Sequence, residues 1–432
     1  MTNSHHNRSF GTPHSEIRHS TEGLVVRHLL EEQTDLSAVE RFSQRHAELP
    51  GDHSLYTELI PLSKPGEGEQ YTFEVDLDTC SGCKACVVAC HSLNGLDEDE
   101  SWRDVGALVS SAEAAPIAVT SACHHCADPA CLNGCPTLAY EKDADTGIVR
   151  HLDDQCIGCS YCEMKCPYGV PKYNARLGIV RKCDMCHDRL AEGEAPACVS
   201  ACPNGAIKIK VIKTDAIPAV GSILPGAYES SYTRPATIFR TNRDLTNFQA
   251  ADHGAEALPH AHIPLVVMLA LTQCSIGLGI AAMIHSSRLY AIVAAVVGMI
   301  GMAASVLHLG SPTKAWKAFL GIRTSWLSRE IIAFGAWMPL VFLGVLVPHP
   351  AVLGLGVITG LGAVFCSAMV YIDTRRPSWR PAQTYPRFFG VVVLVALAAS
   401  ASLPLALPVI LMALAERYQF FRSMSVLKMP GN

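Results

Sequence analysis

The sequence of 432 residues is 49% hydrophobic and 17% charged, with a formal net charge of −5 at pH 7. It holds no basic block and no basic stretch interleaved with aromatic residues, so nucleic acid is not an expected partner. Up to about residue 250 the chain is polar and rich in cysteine, and from residue 263 it consists of long uncharged runs of Ala, Val, Leu, Ile and Gly. A polar half followed by a membrane half is therefore predicted.

The chain begins with a polar, histidine-containing stretch, residues 1–70, which we interpret as an N-terminal extension. Its first 20 residues contain neither an apolar run nor a twin arginine, so no export signal is expected within this chain. The alternation of Tyr71, Phe73 and Val75 then predicts a strand that leads into a cysteine-rich domain, residues 71–212.

Sixteen of the 18 cysteines lie between Cys80 and Cys202, in four sets of four. The sets are Cys80, Cys83, Cys86, Cys90; Cys123, Cys126, Cys131, Cys135; Cys156, Cys159, Cys162, Cys166; and Cys183, Cys186, Cys198, Cys202. The third set, CIGCSYCEMKCP, has the C-x2-C-x2-C-x3-C-P spacing of bacterial ferredoxins, whose thiolates hold iron-sulfur clusters. Because the fourth cysteine of such a set belongs to the neighbouring cluster, four sets predict two pairs, or four 4Fe-4S clusters.

The other sets keep the same plan with longer gaps or a different flank. The gap between the second and third cysteines grows to four residues in the second set and to eleven in the fourth, and His91 replaces Pro after the first set. Disulfides belong to small secreted chains, and zinc does not require this spacing, so both alternatives are less favoured. Cys183 to His187 also spells a haem-attachment motif, but Cys198 and Cys202 complete it as a fourth cluster set.

Residues 213–262, rich in Ser, Thr, Pro and Gly, are predicted to be a tether, and residues 263–432 a transmembrane anchor. Four apolar runs approach the roughly 20 residues that a spanning helix needs. They cover residues 264–284, 289–309, 331–347 and 352–372. A fifth run, 388–415, is interrupted by Pro404 and Pro408, which leaves five or six spans open.

The distribution of basic residues predicts the orientation in the membrane. The loop 308–329 and the loop that follows Tyr371 each hold four Lys or Arg residues, whereas the opposite side shows only Arg288. By the positive-inside rule, the two basic loops and the cluster domain lie on the cytoplasmic side of the inner membrane. The basic C-terminal tail joins that side only if the number of spans is even, which favours six.

Clusters beside a membrane suit the transfer of single electrons between a lipid-soluble two-electron carrier, a quinone, and a soluble active site. Oxidation of a quinol needs a proton acceptor, and ionisable residues near the ends of spans are the candidates. His308 is the first candidate, because its ordinary pKa lies near neutrality. Arg329 and Glu330 are the next. The alternatives are an interfacial histidine and charged side chains that extend to the head groups.

Longer stretches resemble a known family. CIGCSYCEMKCPYGVPKYN and RKCDMCHDR resemble the four-cluster electron-transfer subunit of the dimethyl sulfoxide reductase family, and HLGSPTKAWKAFLGIRTSWLSREI and ERYQFFRSMSVLKMPGN resemble the membrane anchor subunit of the same enzymes. The chain is thus similar to a fusion of the two subunits. The fold implied is an α+β double ferredoxin-like iron-sulfur domain followed by an all-α polytopic membrane domain, although the family's anchor has eight spans.

The resemblance also implies how the ligands are shared. The four groups would be Cys80, Cys83, Cys86 with Cys202; Cys183, Cys186, Cys198 with Cys90; Cys123, Cys126, Cys131 with Cys166; and Cys156, Cys159, Cys162 with Cys135. It implies a separate molybdopterin catalytic subunit and a quinol site at His308. In related nitrate reductases a Trp replaces one ligand of the third set, so Cys162 favours four complete clusters.

We therefore expect a non-catalytic electron-transfer and anchor subunit that carries electrons from quinol to a reductase. The alternative is the same wiring in reverse, in which a sulfite dehydrogenase or polysulfide-type subunit feeds quinone, because ligand identity alone does not set cluster potentials. A third hypothesis, an ion-translocating or purely structural anchor, predicts paired acidic or lysine residues at mid-membrane, which the apolar runs lack.

Overall fold

The computed structural model describes residues 59–111, 115–219, 221–229, 231–253, 262–425 and 428–429. Most of the predicted N-terminal extension lies outside these residues. The cysteine-rich half contains two three-stranded sheets, β8-β1-β9 and β10-β2-β3, and two hairpins, β4-β5 and β6-β7. The strands are β1 Glu69–Asp76, β2 Asp104–Ser110, β3 Ile117–Ser121, β4 Tyr140–Lys142, β5 Val149–His151, β6 Lys172–Asn174, β7 Ile179–Arg181, β8 Ile207–Lys213, β9 Ile238–Arg240 and β10 Phe248–Ala250.

The strand predicted at Tyr71 is confirmed as β1, the centre of its sheet. It pairs antiparallel with β8 over seven residues, from Glu69 opposite Lys213 to Val75 opposite Ile207. Most of β1 is buried on both faces. Phe73 of this strand packs in one core with cysteines of the first and fourth sets. The thiol groups thus form a large part of a small apolar core, as a ferredoxin-like domain requires.

The segment expected to be a tether contributes two strands to these sheets. β9 runs parallel to β1, with Glu74 opposite Ile238, and β10 pairs antiparallel with β2, with Phe248 opposite Ser110. Strands of three residues are too short to show an alternating pattern, so the composition of this segment did not reveal them. Its described part is therefore built into the cluster half.

Five short helices carry cysteines or lie beside them. They are α1 Ala85–Asn94, α2 Ala130–Gly134, α3 Tyr161–Lys165, α4 His187–Ala191 and α5 Ala197–Ser200. Their shortness follows from the ligand spacing, because the chain must turn back to the same site after each set. The α+β ferredoxin-like prediction for this half is confirmed.

The membrane half contains six helices that are long and apolar enough to cross a membrane, counted over the described residues. The helices are α6 Ile263–His285, α7 Arg288–Val306, α8 Trp326–Leu346, α9 Pro350–Ile372, α10 Pro381–Ala401 and α11 Ala406–Arg422, the last preceded by a turn that starts at Leu403. The run predicted from residue 388 divides at Pro404, and its first helix already begins at Pro381. Of the two counts left open by the sequence, the structure has six.

Helix α6 is the central helix of this bundle, and it packs against α7, α9, α10 and α11. Between α7 and α8 the chain forms a 3-10 helix, Pro312–Phe319, and a loop that lies against the cluster half. Helix α8 starts five residues before the apolar run predicted from residue 331, so Arg329 and Glu330 lie inside its first turns. This early start brings a charged pair to the end of the bundle that faces the cysteines.

Candidate cluster sites and membrane cavity

The structure brings the 16 cysteines into the four groups that the family resemblance implied. We number them by the set that provides three members: site 1 is Cys80, Cys83, Cys86 and Cys202; site 2 is Cys123, Cys126, Cys131 and Cys166; site 3 is Cys156, Cys159, Cys162 and Cys135; site 4 is Cys183, Cys186, Cys198 and Cys90. The four members of site 1 line one pocket, and those of site 2 line another. At site 3, Cys135 packs in one core with Cys156 and Cys162. At site 4, Cys90 packs in one core with Cys183 and Cys198.

Backbone conformation at the sites suits an anionic cluster. The loops turn through left-handed residues, such as Gly82 (φ 71°) at site 1 and Gly158 (φ 65°) at site 3. Turns of this kind point successive N–H groups into one concavity, which favours anions and is common at iron-sulfur sites. Backbone N–H groups donate to ligand sulfurs at sites 1, 3 and 4. Examples are Gly158 to Cys156 (3.4 Å), Met185 to Cys183 (3.4 Å), Ala139 to Cys135 (3.2 Å) and Ala206 to Cys202 (3.2 Å).

The donor set of each site suits an iron-sulfur cluster. Among the described residues, no three His, Cys, Asp or Glu side chains form a group that could hold one metal ion. A 4Fe-4S cluster is held by four cysteine thiolates. Each site offers four cysteines, so the residues present fit the group that the cysteine spacing predicts.

Site 1 differs from the others in its exposure. Cys83 is exposed, and a hydrogen bond from the backbone N–H of Ala85 holds its pKa below the ordinary value. At the other sites burial dominates; it raises the pKa of Cys126 at site 2 and of Cys162 at site 3. One site thus reaches the surface, and the others are enclosed.

Electrostatic contacts between the sites give their order. Tyr140 lies between sites 3 and 2, where thiols of both add to the effect of burial in raising its pKa. Burial raises the pKa of Cys183 at site 4, and the charge of Cys123 at site 2 raises it further. The charge of Cys86 at site 1 acts in the same way on Cys198 at site 4. Packing agrees with these contacts, because Cys131 of site 2 packs against the core that holds the cysteines of site 3, and Cys123 of site 2 shares another core with cysteines of sites 4 and 1. The sites are therefore adjacent in the order 3, 2, 4, 1.

Three glycines hold the loop after α7 against site 3. A Cβ atom on Gly310 would lie 2.1 Å from the carbonyl oxygen of Gly178, and one on Gly158 would lie 2.3 Å from the same oxygen. A side chain on Gly310 would push the loop away from the cluster half, and one on Gly158 would collide first within the cluster half, so the close approach requires glycine at both positions. Ser311 also donates its N–H to the carbonyl oxygen of Ile157, at 3.0 Å.

The same loop also contacts the segment that carries Cys135, the fourth member of site 3. The N–H of Gly321 donates to the carbonyl oxygen of Pro136 at 2.8 Å, and the hydroxyl of Ser325 donates to that of Gly134 at 2.6 Å. Both chain segments that form site 3 are thus fixed to the loop 307–325, between α7 and α8 of the membrane half. Site 3 is the one next to the membrane helices.

A cavity of about 510 Å³ opens among the membrane helices beside site 3. Its wall is mainly apolar, with leucine, methionine, isoleucine and phenylalanine side chains from α6 to α9, and Cys159 of site 3 forms part of it. The polar side chains in the wall are Tyr161, Ser305, His308, Glu330 and Tyr371. Both the volume and the few polar groups are typical of a site for a small apolar molecule with a polar head.

His308 lies in this wall just beyond the end of α7. Its Nδ1 atom is hydrogen-bonded to the carbonyl oxygen of Ser305. A carbonyl can only accept, so Nδ1 carries the hydrogen and Nε2 is left as an acceptor. Burial lowers the pKa of His308 below its ordinary value, against the opposing effect of the bond to Ser305. The ring is thus a neutral proton acceptor at ordinary pH.

Glu330 lies in the same wall, whereas its neighbour Arg329 does not. Glu330 is 3% exposed, and its Oε1 atom has no hydrogen-bond partner among the residues that the structure describes. Arg329 points to the surface, donates to the carbonyl oxygens of Ile322 and Arg323 at 3.0 and 2.7 Å, and stacks on Trp326. Consecutive helical residues point about 100° apart, so the two could not share one face.

Three further residues connect the halves, and the sequence did not single them out. Tyr161 donates its hydroxyl to the carbonyl oxygen of Val370 at 2.9 Å. Lys165 forms an ion pair with Asp373 at 2.7 Å, and its side chain is 7% exposed. These contacts hold α3, which carries Cys162, against the end of α9. The partners are more than 200 residues apart, so no local pattern could have revealed them.

Two family models match the chain: a 4Fe-4S dicluster domain over residues 116–212 and the DMSO reductase anchor subunit over residues 259–429. The probable anaerobic dimethyl sulfoxide reductase chain YnfG of Escherichia coli K12 is 38% identical over 190 residues, which cover 40% of this chain and 89% of the relative. The thiosulfate reductase electron transfer subunit PhsB of Salmonella typhi is 41% identical, over 32% of this chain and 74% of that protein. The iron-sulfur subunit of the nitrate-inducible formate dehydrogenase of Escherichia coli K12 is 36% identical, over 34% of this chain and 57% of that protein.

Proposed function

Because the chain belongs to the dimethyl sulfoxide reductase family, as a fusion of its iron-sulfur and anchor subunits, we propose that it passes electrons between the quinone pool and a separate molybdopterin catalytic subunit. It is an electron-transfer iron-sulfur protein with its own membrane anchor, related to subunits of formate dehydrogenase and thiosulfate reductase. The chain is the electron-transfer subunit of such a complex, and the substrate reacts in the partner subunit.

The observation that carries the proposal is the cavity beside site 3. It joins a proton acceptor, His308, an unpartnered carboxyl oxygen, on Glu330, and a cluster cysteine, Cys159, in one wall. A quinol has a polar head that must lose protons and an apolar tail that suits the methionine-rich and leucine-rich wall. These are the groups needed where a quinol gives up electrons beside an electron acceptor.

Oxidation of a quinol to a quinone releases two electrons and two protons. In the proposed reaction Nε2 of His308 takes one proton and the Glu330 carboxylate takes the other. The cysteines of site 3 would hold the cluster nearest the cavity, which would take up the two electrons one at a time. Tyr371 shares the wall and orients the head group, and the Tyr161 ring helps to exclude water.

We assign the 16 cysteines as ligands of four 4Fe-4S clusters, one at each of sites 1 to 4. The order of the sites supports transfer from site 3 through sites 2 and 4 to site 1. Cys83 at site 1 is exposed, and Val88 and Leu93 on the adjoining helix α1 are 64% and 50% exposed. We propose that the molybdopterin subunit docks on this face, where the terminal cluster is accessible.

The protein is a multi-pass membrane protein, and we propose that its cluster half faces the cytoplasm from the inner membrane. The basic loops between α7 and α8 and after α9 lie on the side of the cluster half, as the positive-inside rule requires. Lys428 forms an ion pair with Asp252 of the cluster half, which supports an even number of spans. A reporter fused after Lys428 is expected to read as cytoplasmic; a periplasmic signal would overturn this topology.

The proposed partner is tested by purifying the complex from native membranes. We expect a second, larger subunit in stoichiometric amount, together with molybdenum and about 16 iron atoms per chain, as four 4Fe-4S clusters require. A complex that contains the iron but no molybdenum subunit would contradict the assignment of the partner.

Reverse flow is the second candidate, with a sulfite dehydrogenase or polysulfide-type subunit feeding quinone. One observation favours it: a relative that is 36% identical is the iron-sulfur subunit of a dehydrogenase, so a closely similar wire serves substrate oxidation there. The complex decides between the candidates in two assays, one with a quinone analogue and candidate reduced substrates and one with a quinol analogue and candidate oxidised substrates. Net quinol formation supports reverse flow, and quinol consumption with an oxidised substrate supports the main proposal.

A further inference from the structure

Arg103 is a buried cation in the cluster half with few protein partners. It immediately precedes β2 and is 2% exposed. Its Nη1 atom donates to the hydroxyl of Thr120 at 3.1 Å, and its guanidinium lies 4.7 Å from the centre of the Phe73 ring. Its Nε and Nη2 atoms have no hydrogen-bond partner, and it forms no ion pair with a carboxylate, in the part of the chain that the structure describes.

The negative groups around Arg103 are cysteines of two sites. Burial acts to lower the pKa of Arg103, but the charges of Cys198, Cys183, Cys86 and Cys90 raise it overall. Cys198, Cys183 and Cys90 belong to site 4, and Cys86 belongs to site 1. The geometry agrees: Thr120, which accepts from Arg103, lies 3.4 Å from the sulfur of Cys86, and Phe73, the ring next to the guanidinium, packs in one core with the cysteines of site 4. Arg103 is therefore located between the two sites.

Arginine does not lose its proton in proteins, so its charge is permanent. A buried charge is tolerated only when it is paired and hydrogen-bonded. Arg181 illustrates the usual solution, because it forms an ion pair with the buried carboxylate of Glu100 at 3.1 Å. Where Arg181 has a carboxylate, Arg103 has cysteines that become thiolates when they bind iron. Its Nε and Nη2 atoms are available to donate to the cluster or to its thiolates.

We propose that Arg103 is the shared counter-ion of the clusters at sites 1 and 4, and that its charge raises the reduction potentials of both. The inference rests on the proposed assignment of the cysteines to these clusters. A cluster takes up one electron and no proton when it is reduced, so its net negative charge grows by one. Net charge and hydrogen bonds to the sulfurs are the protein's means of tuning such potentials. A fixed cation stabilises the more negative, reduced form.

Thr120 extends this effect to one site only. Its hydroxyl accepts a hydrogen bond from Arg103 and lies 3.4 Å from the sulfur of Cys86. A ligating thiolate can only accept, so the hydroxyl hydrogen must point to Cys86. This bond adds to the potential of site 1 and does not reach site 4.

The consequence is that electrons are favoured at the exposed end of the row of sites. Sites 4 and 1 are the last two in the order from the membrane, and Cys83 of site 1 is at the surface. The arrangement favours reduction of the pair farthest from the membrane cavity, which assists delivery to a partner at site 1.

The test is a potentiometric titration of the purified complex, followed by the EPR signals of the reduced clusters. In Arg103→Gln we expect the potentials of two of the four clusters to become more negative, while the other two stay at their wild-type values. Arg103→Lys, which keeps the charge but not the planar fork, should shift the same two clusters less. Four unchanged potentials in Arg103→Gln would overturn the inference.

A second pair of variants covers the case in which Arg103→Gln does not assemble. Thr120→Val is similar in shape but cannot donate, and it should lower the potential of one cluster, at site 1; Thr120→Ser should resemble the wild type. An unshifted potential in Thr120→Val would then refute the inference. Fewer than four clusters in the wild-type complex would instead contradict the proposed function, so the two failures are distinct.

Discussion

The two halves of the molecule bury arginine in different ways. Arg417 of the membrane half is fully buried, donates to the side-chain oxygen of Gln273 at 2.9 Å and to the carbonyl oxygen of Arg387 at 2.7 Å, and pairs with Glu416 at 2.6 Å. Arg103 of the cluster half has one hydroxyl partner among the described residues. The protein itself balances the charge in the membrane half, whereas the cluster half depends on bound clusters to do so.

The same contrast holds for the two cores. In the cluster half, cysteines are part of each main group of packed side chains, as with Cys86 and Cys198 beside Phe73. In the membrane half, aromatic side chains such as Trp379, Phe388 and Phe420 pack directly on one another. Removal of the clusters should therefore affect only one half.

The largest expected effect comes from removing iron. Without metal the cluster half has a small core lined by repelling or unpaired groups, so it should unfold, as metal-dependent domains do. Limited proteolysis in detergent, followed by mass spectrometry, should show cleavage throughout residues 59–253 and protection of the helices from 263 onward. Equal protection of both halves in the iron-free protein would refute the contrast.

Loss of Arg417 should destabilise the membrane half and spare the clusters. Arg417→Leu leaves the oxygen of Gln273 without its donor, and removing one partner of a buried pair typically costs about 3–5 kcal/mol. Thermal unfolding in detergent should occur at a lower temperature, with unchanged iron content. Arg323→Ala, at an exposed loop position, is the matched control. A loss of clusters in Arg417→Leu would show that the halves are not independent.

The ion pair between the halves should have a smaller effect. In Lys165→Met the Asp373 carboxylate loses its partner, but it is 29% exposed and can be hydrated, so we expect a loss of about 1–2 kcal/mol. Because α3 carries Cys162, transfer from quinol to the clusters should slow while the cluster content remains. Asp373→Asn is the paired variant. Unchanged transfer rates in both would show that this contact does not position site 3.

The smallest expected effect is in the pH dependence of quinol oxidation. Burial lowers the pKa of His308, so the ring is protonated only at a pH below its ordinary value of 6.5. Protonation removes the acceptor, so the rate should be level as pH falls to about 6.5 and decline below it. A rate that already declines well above pH 6.5 in the wild type, but not in His308→Gln, would mean that the pKa is raised instead.

Features with a fixed local spacing could be predicted from the sequence. The four cysteine sets, the strand at Tyr71 and the first four apolar helices follow from periodicity and ligand spacing within a few tens of residues. His308 and Glu330, which the structure places in the wall of one cavity, were candidates because ionisable side chains at the ends of apolar runs are unusual. The split at Pro404 was visible as a break, although length alone did not decide between five and six helices.

Features that depend on distant contacts could not be predicted. The contact of Gly158 and Gly178 with Gly310, and that of Tyr161 with Val370, join segments more than 100 residues apart. The short strands β9 and β10 exist only because β1 and β2 offer them partners. Arg329 could not be separated from Glu330 until the helix showed which of them faces the cavity.

Rapid mixing of the purified complex with a reduced quinone analogue, with EPR of samples frozen at successive times, tests the central claim most directly. In the wild type the clusters should become reduced within the turnover time. In His308→Ala and Glu330→Gln, reduction by the quinol should be slowed at least tenfold, a barrier increase of about 1.4 kcal/mol or more, while dithionite still reduces all the clusters. Cluster reduction at the wild-type rate in both variants would contradict the assignment of this cavity as the quinol site.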